Sequence, residues 1–432
     1  MRIPFFSSVD EAKQDAAYWN CSAIETVGLR QYVPLEQSGK FSAHIRMRRW
    51  VIGFFACLMA VAPLWGMAQA SSAGSNASKS SRKKTSSKRT SASKRTRTAR
   101  RTKANLSPWK TPDFGDPTAG DWIDFEDLAV RRAAVEALGN FNGSMVVTDA
   151  ATGRILTIVN QKLAFDGGYQ PCSTIKIVTA VAALNEKLIT PDNQFRLSRK
   201  LRLDLADAIA HSNNYYFSVL GQRLGFERVT RYARLLGVGE KACLNVPSEK
   251  PGALPAAPPK NGGVGMMTSF GEGIRMTPLE LAAMVGAIAN GGKLMHLQYP
   301  RMVMGRIQME PRLKRLLDFA PVLETLKEGM RGALLYGTAR RAAAQTSEPL
   351  FGKTGTCTDY ERGAHMGWFA AFNDAASRPL AVVVMLTGAG AVNGPVASGI
   401  AGAFFRNLAA TGYLAQMGQR ALESEGWLSN TN

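Results

Sequence analysis

Ser173 and Lys176 stand three residues apart at the start of an apolar segment, Ser173 to Lys187. In a helix that spacing puts both side chains on one face, within hydrogen-bonding reach. A serine hydroxyl is a weak nucleophile until a base takes its proton. A lysine pressed into apolar surroundings becomes such a base, because desolvation and neighbouring cations disfavour its charged form. The spacing alone carries little, since it recurs at Ser80/Lys83, Ser81/Lys84, Ser91/Lys94 and Ser107/Lys110. Those four lie in or beside a polar stretch. At 173 the bland alternative is a helix lysine that snorkels to solvent.

Other routes to a nucleophile lack support. No GxSxG elbow occurs. The histidines, His44, His211, His296 and His365, form no HxxxH pair, so a histidine-built metal site is not expected and a Ser-His-Asp triad has no local signal. No metal and no cofactor is expected. Two further polar sets remain. His211-Ser212-Asn213-Asn214 closes a helical run, and Phe351-Gly352-Lys353-Thr354-Gly355-Thr356 lies on a predicted strand. The Gly-Lys-Thr triplet is not a phosphate loop: the position five before Gly352 is Ser347, and no helix clearly follows. On a strand edge, Gly355 leaves room for a substrate backbone, while Lys353, Thr354 and Thr356 can hold an anion.

In this order, Ser-x-x-Lys, Ser-x-Asn and Lys-Thr-Gly resemble the signature of penicillin-binding proteins and serine β-lactamases. Gly271-Glu272-Gly273-Ile274, Thr277-Pro278-Leu279-Glu280-Leu281-Ala282, Ala289-Asn290-Gly291-Gly292 and Met366-Gly367-Trp368-Phe369 look like the transpeptidase domain of the class B penicillin-binding proteins. The likeness runs from about 120 to 412. It implies Ser173 as the acylated nucleophile, Lys176 as its base, Ser212 as proton relay to the leaving amine and Asn214 as holder of the substrate amide. It implies Lys353, Thr354 and Thr356 on the substrate carboxylate, beside Gly355, and an oxyanion hole from the N–H groups of Ser173 and Thr356. The expected activity is acyl transfer on peptidoglycan stem peptides ending in D-Ala-D-Ala, as D,D-transpeptidase or D,D-carboxypeptidase, with β-lactams as suicide acylators.

Two alternatives compete. A class A β-lactamase activates its deacylating water with a Glu-x-x-Leu-Asn pattern, whereas Glu240 to Leu244-Asn245 has one residue too many, and class D enzymes normally carry Val where Asn214 stands. A wall-binding or β-lactam-sensing module without catalysis is the other, and the complete polar set argues against it. The chain also departs from the family. Cys172 stands where glycine usually precedes the serine, Glu272 replaces a usual glutamine, and Cys357 follows Thr356. If the family fold holds, Cys172 and Cys357 flank one cleft. Two small buried thiols filling space are the default, and a redox-active pair is the alternative.

The elements that must position these groups are legible as patterns. Residues 143–149 and 154–159 read as strands joined by a hairpin at Ala150-Ala151-Thr152-Gly153. Ser173 to Lys187 reads as a buried helix, with helical patterns at 202–210, 227–236, 278–289 and 321–336. Thr277, Pro278 and Glu280 form an N-cap, first turn and capping box. Strands follow at 350–356, 366–373 and 380–387, then a helix over about 394–412. Strands at both ends with helices between them predict an α+β fold, a central antiparallel sheet flanked by helices as in penicillin-binding transpeptidases and serine β-lactamases.

The chain of 432 residues is 45% hydrophobic, enough for a large core, and its net charge of +20 is mostly local. Residues 79–103 hold twelve Lys or Arg and no acid. Residues 71–106 are therefore a solvated linker, a spacer or an electrostatic contact with an anionic membrane or wall surface; no nucleic-acid partner is expected. Residues 50–68 carry no charge and follow Arg46, Arg48 and Arg49. Pro63, Gly66 and Ala68-Gln69-Ala70 favour a signal peptide over 47–70, with an uncleaved anchor as the alternative. Either exports the chain to the periplasm or the outer face of the cytoplasmic membrane. Residues 1–46 precede Met47, a plausible true start, and read as a mis-set or cytoplasmic extension. The transpeptidase domain spans 107–418, with a tail at 419–432 and only the linker where class B enzymes carry a pedestal domain.

Overall fold

The structure, a computed structural model, describes residues 116–200, 202–375, 379–388 and 392–416. The expectations for 1–46, 47–70, 71–106 and 419–432 fall outside the described residues. Five strands form the central sheet: β1 (Gly143–Asp149), β2 (Ile155–Val159), β3 (Leu350–Asp359), β4 (Ala364–Asn373) and β5 (Leu380–Gly388). Their order is β2-β1-β5-β4-β3, with every neighbouring pair antiparallel. The first and last strands of the sheet in sequence thus pair with each other, Val146 opposite Val383.

Strand alternation sends side chains to two separate cores. Val146, Ile158, Trp368, Val383 and Met385 face one, Met145, Val147, Phe369, Val382 and Val384 the other. Helices cover both faces, which is why Leu380 to Leu386 contains no polar residue. On the second face lie α1 (Leu128–Leu138) and α8 (Gly394–Ala410). On the first lie α2 (Lys176–Asn185) and α6 (Pro278–Ala289), with α3 (Leu205–Ala210), α4 (Asn214–Leu224), α5 (Gly263–Phe270) and α7 (Ala320–Leu335) beyond them. Each fully buried Val, Leu or Met of these layers contributes about 1.5–3 kcal/mol.

The local signals act as read at α6. Thr277 Oγ1 accepts from the Glu280 N–H at 3.0 Å and Glu280 Oε2 accepts from the Thr277 N–H at 2.9 Å, with Pro278 opening the helix. Glu280 Oε1 also accepts from Gly239 and Gly252, and burial pushes its carboxyl up to about 7. Two helix starts differ from the pattern. Cys172–Ile175 is a 3₁₀ turn, and the α-helix begins only at Lys176. Residues 202–203 pair as a short strand, and α3 waits for the Asp204 side chain, which accepts from the Asp207 N–H at 2.8 Å. The helices α1, α4 and α5 escaped the pattern reading; α4 starts at the Asn213 cap, inside a motif read as a helix end. Among the described residues no helix is long and apolar enough to cross a membrane.

Candidate active site

Three elements converge on one point. The 3₁₀ turn and α2 carry Ser173 and Lys176, the α3–α4 corner carries Ser212 and Asn214, and β3, the edge strand, carries Lys353 to Thr356. At the corner, Ser212 takes a left-handed backbone with φ +53°, its N–H bound to the Ile209 carbonyl at 3.1 Å. That tight turn lets Ser212 and Asn214 reach the same amine.

The amine is Lys176. Its Nζ lies 3.0 Å from Ser173 Oγ, 3.0 Å from Ser212 Oγ, 2.7 Å from the Ser212 carbonyl oxygen and 2.6 Å from Asn214 Oδ1. It is fully buried, and desolvation, aided by the charge of Lys353, pulls its pKa down from 10.5 to about 5. Near neutral pH it is therefore an uncharged amine with two N–H donors and one lone pair. The Ser212 carbonyl and Asn214 Oδ1 can only accept, so they take both donors. The lone pair is left for a hydroxyl proton, from Ser173 or Ser212. This count makes Lys176 a base aimed at two serines.

Lys353 is buried on β3 and donates to Ser212 Oγ and to the Thr354 carbonyl, both at 2.8 Å. Burial brings its pKa down to about 7. Among the described residues no carboxylate is one of the groups that set either lysine's pKa, so the charge of protonated Lys353 is left unneutralised for an anion. Thr354 Oγ1 shares a hydrogen bond of 2.6 Å with Thr338 Oγ1. Thr356 Oγ1 accepts from the Gly394 N–H at 2.8 Å, and the residue is exposed. Gly355 makes room for protein: a Cβ there would meet the Pro171 carbonyl oxygen at 3.1 Å and Thr174 Cγ2 at 3.2 Å. Its smallness lets the nucleophile turn lie against β3.

The structure thus gathers Ser173, Lys176, Ser212, Asn214 and Lys353 in one hydrogen-bonded cluster, with Thr354, Gly355 and Thr356 along the adjoining strand. Cys172 and Cys357, read by default as two thiols, form a disulfide between the turn and β3. The 3₁₀ turn lies against β3 and brings their Cα atoms to 5.4 Å, within bonding range. Glu240 is held in ion pairs by Lys314 at 2.8 Å and Arg315 at 3.1 Å. Glu272 accepts from Gln170 Nε2 at 3.4 Å.

Thr338 was invisible to motif reading, because Gly337-Thr338 is an ordinary pair in sequence. Its N–H donates to the Ala210 carbonyl at 3.1 Å, fixing its hydroxyl over Thr354. Thr338→Val should slow acylation by penicillin about three- to tenfold, the equivalent of roughly 0.5–1.5 kcal/mol for one hydrogen bond. Thr338→Ser should restore it. A valine variant with the wild-type rate would remove Thr338 from the positioning of Thr354.

The sequence profile of the penicillin binding protein transpeptidase domain matches residues 143–410, more than half of the chain. The chain belongs to the penicillin-binding protein transpeptidase family. Penicillin-binding protein PbpB of Mycolicibacterium smegmatis is 27% identical over 288 residues, covering 55% of this chain and 44% of that protein. The peptidoglycan D,D-transpeptidase MrdA of Haemophilus influenzae is 24% identical over 342 residues, covering 61% and 52%. The chain therefore spans about half the length of these curated relatives. A crystal structure of Pseudomonas aeruginosa PBP2 superposes with a TM-score of 0.58 at 22% identity, over 66% of this chain and 77% of that one, which establishes the shared transpeptidase fold.

Proposed function

We propose that this member of the transpeptidase family is a peptidoglycan D,D-transpeptidase that works through an acyl-enzyme on Ser173. One observation carries the reading: Lys176 Nζ sits 3.0 Å from both Ser173 Oγ and Ser212 Oγ with its two donors already engaged. Ser173 Oγ attacks the carbonyl of the penultimate D-Ala while its proton passes to Lys176. The oxyanion forms against the N–H groups of Ser173 and Thr356, donors of a kind worth about 2.7–4 kcal/mol each to the transition state. Lys176 then returns the proton through Ser212 to the departing amine of the terminal D-Ala. The carboxylate of that residue meets Thr354 and Thr356 in the field of Lys353, and Asn214 orients the substrate amide. An amine from a second stem peptide takes the acyl group; water in that role gives a carboxypeptidase. β-Lactams present the same carbonyl and carboxylate and trap the acyl-enzyme.

The substrate lies outside the cytoplasm, so the reading requires export through residues 47–70, as signal peptide or anchor. A disulfide beside the nucleophile agrees with an oxidising compartment. The basic stretch 71–106 would then face anionic membrane or wall polymer.

The test is to follow a fluorescent penicillin on the purified full chain over time, with Ser173→Ala alongside. Label that persists for hours on wild type and is missing from Ser173→Ala supports the transpeptidase reading. Label that appears and vanishes within seconds, with antibiotic consumed, makes the chain a β-lactamase. No label on folded protein leaves only a wall-binding role.

A further inference from the structure

The Cys172–Cys357 disulfide joins the two walls of the cleft at the residues next to the two oxyanion donors. Cys172 immediately precedes Ser173, and Cys357 immediately follows Thr356. The backbone of Cys172 is left-handed, with φ +52°. That region is disfavoured for any residue with a Cβ, and a cysteine held there is held by its surroundings. The rest of the nucleophile turn is fastened elsewhere. Trp368 Nε1 donates to the Gln170 carbonyl at 3.0 Å, and Thr174 Oγ1 donates to the Pro171 carbonyl at 2.6 Å. Neither bond reaches across from the turn to residues 356–357. The contact at Gly355 shows how closely the walls approach, and the Gln170 N–H, which donates to Asp359 Oδ2 at 3.4 Å, ties the start of the turn to the far end of β3 rather than to residues 356–357.

We propose that the Cys172–Cys357 disulfide is a positioning device for the oxyanion hole: it keeps Cys172 left-handed and so holds the Ser173 and Thr356 N–H groups on one point. The proposal rests on the acyl-enzyme reading above. Glycine, which takes a positive φ freely, would serve the same backbone without a bond. For a cysteine the same conformation carries a steric cost that the bond offsets. It follows that the rate of acylation depends on the oxidation state of this pair. Reduction is chemically plain: a dithiol attacks one Sγ, the Sγ–Sγ bond breaks, both cysteines end as thiols, and the dithiol closes to its cyclic disulfide. Cys357 is only half-buried, so the bond can be reached from solvent.

The experiment measures the rate of labelling by fluorescent penicillin on the full chain, oxidised and after dithiothreitol has exposed two additional thiols per chain. Circular dichroism confirms that the reduced protein is folded. Reduced wild type should acylate at least about tenfold more slowly, within the roughly 10²–10³ ceiling for loss of one oxyanion donor. Cys172→Ala/Cys357→Ser should be equally slow with or without dithiothreitol. Cys172→Gly/Cys357→Ser should recover about tenfold over the alanine variant and ignore the reductant. That recovery is what a mere brace for stability would not produce. Equal rates for oxidised and reduced wild type, or an alanine variant as fast as the glycine variant, would overturn the proposal. Absence of label on oxidised wild type would instead overturn the acyl-enzyme reading, and the positioning role with it.

Discussion

Lys176→Ala should slow acylation of Ser173 by on the order of 10⁴-fold, the upper range for removal of a positioned general base. The expectation comes from the proton count at Nζ. With its pKa at about 5, the amine is neutral at pH 7 and its single free lone pair faces hydroxyls. Alanine removes that lone pair, and among the described residues no histidine or carboxylate is hydrogen-bonded to Ser173 to replace it. Alanine also strands the Ser212 carbonyl and Asn214 Oδ1, so lost positioning could mimic lost base chemistry. Lys176→Arg separates the two. Arginine keeps donors for both acceptors but stays protonated, so it cannot accept the serine proton. The arginine variant should therefore fall about as far as the alanine variant. Labelling by Lys176→Arg within about tenfold of wild type would show that Lys176 acts as a cation and that the base lies elsewhere.

The neutral amine has a cost to the fold. The folded pKa lies below the ordinary 10.5, so between about 5 and 10.5 the unfolded chain binds the extra proton. The stability associated with Lys176 rises with pH across that window and falls as pH drops toward 5. A base is kept at pH 7 only because the surrounding packing tolerates this penalty.

How much of this was legible depended on whether a feature is local. The capping box of α6 and the strands read at 143–149 and 380–387 are written in consecutive residues, and the structure has those strands at Gly143–Asp149 and Leu380–Gly388. Ser173 and Lys176 were legible through a lysine without a structural purpose in an apolar helix. Their onset as a 3₁₀ turn was not: the turn opens at the left-handed Cys172, whose disulfide partner Cys357 lies 185 residues away. Thr338 was hidden for the same reason. Its role exists only once α7 brings it over β3, and nothing in its neighbours marks it. Asn213 shows the opposite error, a local signal read in one direction: the residues that end α3 also cap α4.

The second-order rate of acylation should trace a bell in pH, highest near pH 6 and about 10²-fold lower by pH 9, as each pH unit past a limb removes a factor of ten. The acid limb belongs to Lys176, which gains a proton and loses its lone pair as pH falls through about 5. The alkaline limb belongs to Lys353, which loses its charge as pH rises through about 7. The causes differ in a way that can be tested. Lys176 acts on Ser173, so every β-lactam should show the acid limb. Lys353 acts on the substrate carboxylate, so a β-lactam whose carboxylate is esterified should lose the alkaline limb and keep the acid one. A bound carboxylate also favours the charged form of Lys353. The first-order acylation rate at saturation should therefore hold its plateau to higher pH than the second-order rate does. An alkaline limb that persists unchanged with the ester would place that titration on another group and would detach Lys353 from carboxylate recognition. The low pKa of Lys353 and its 2.8 Å contact with Ser212 Oγ would then serve the proton relay instead.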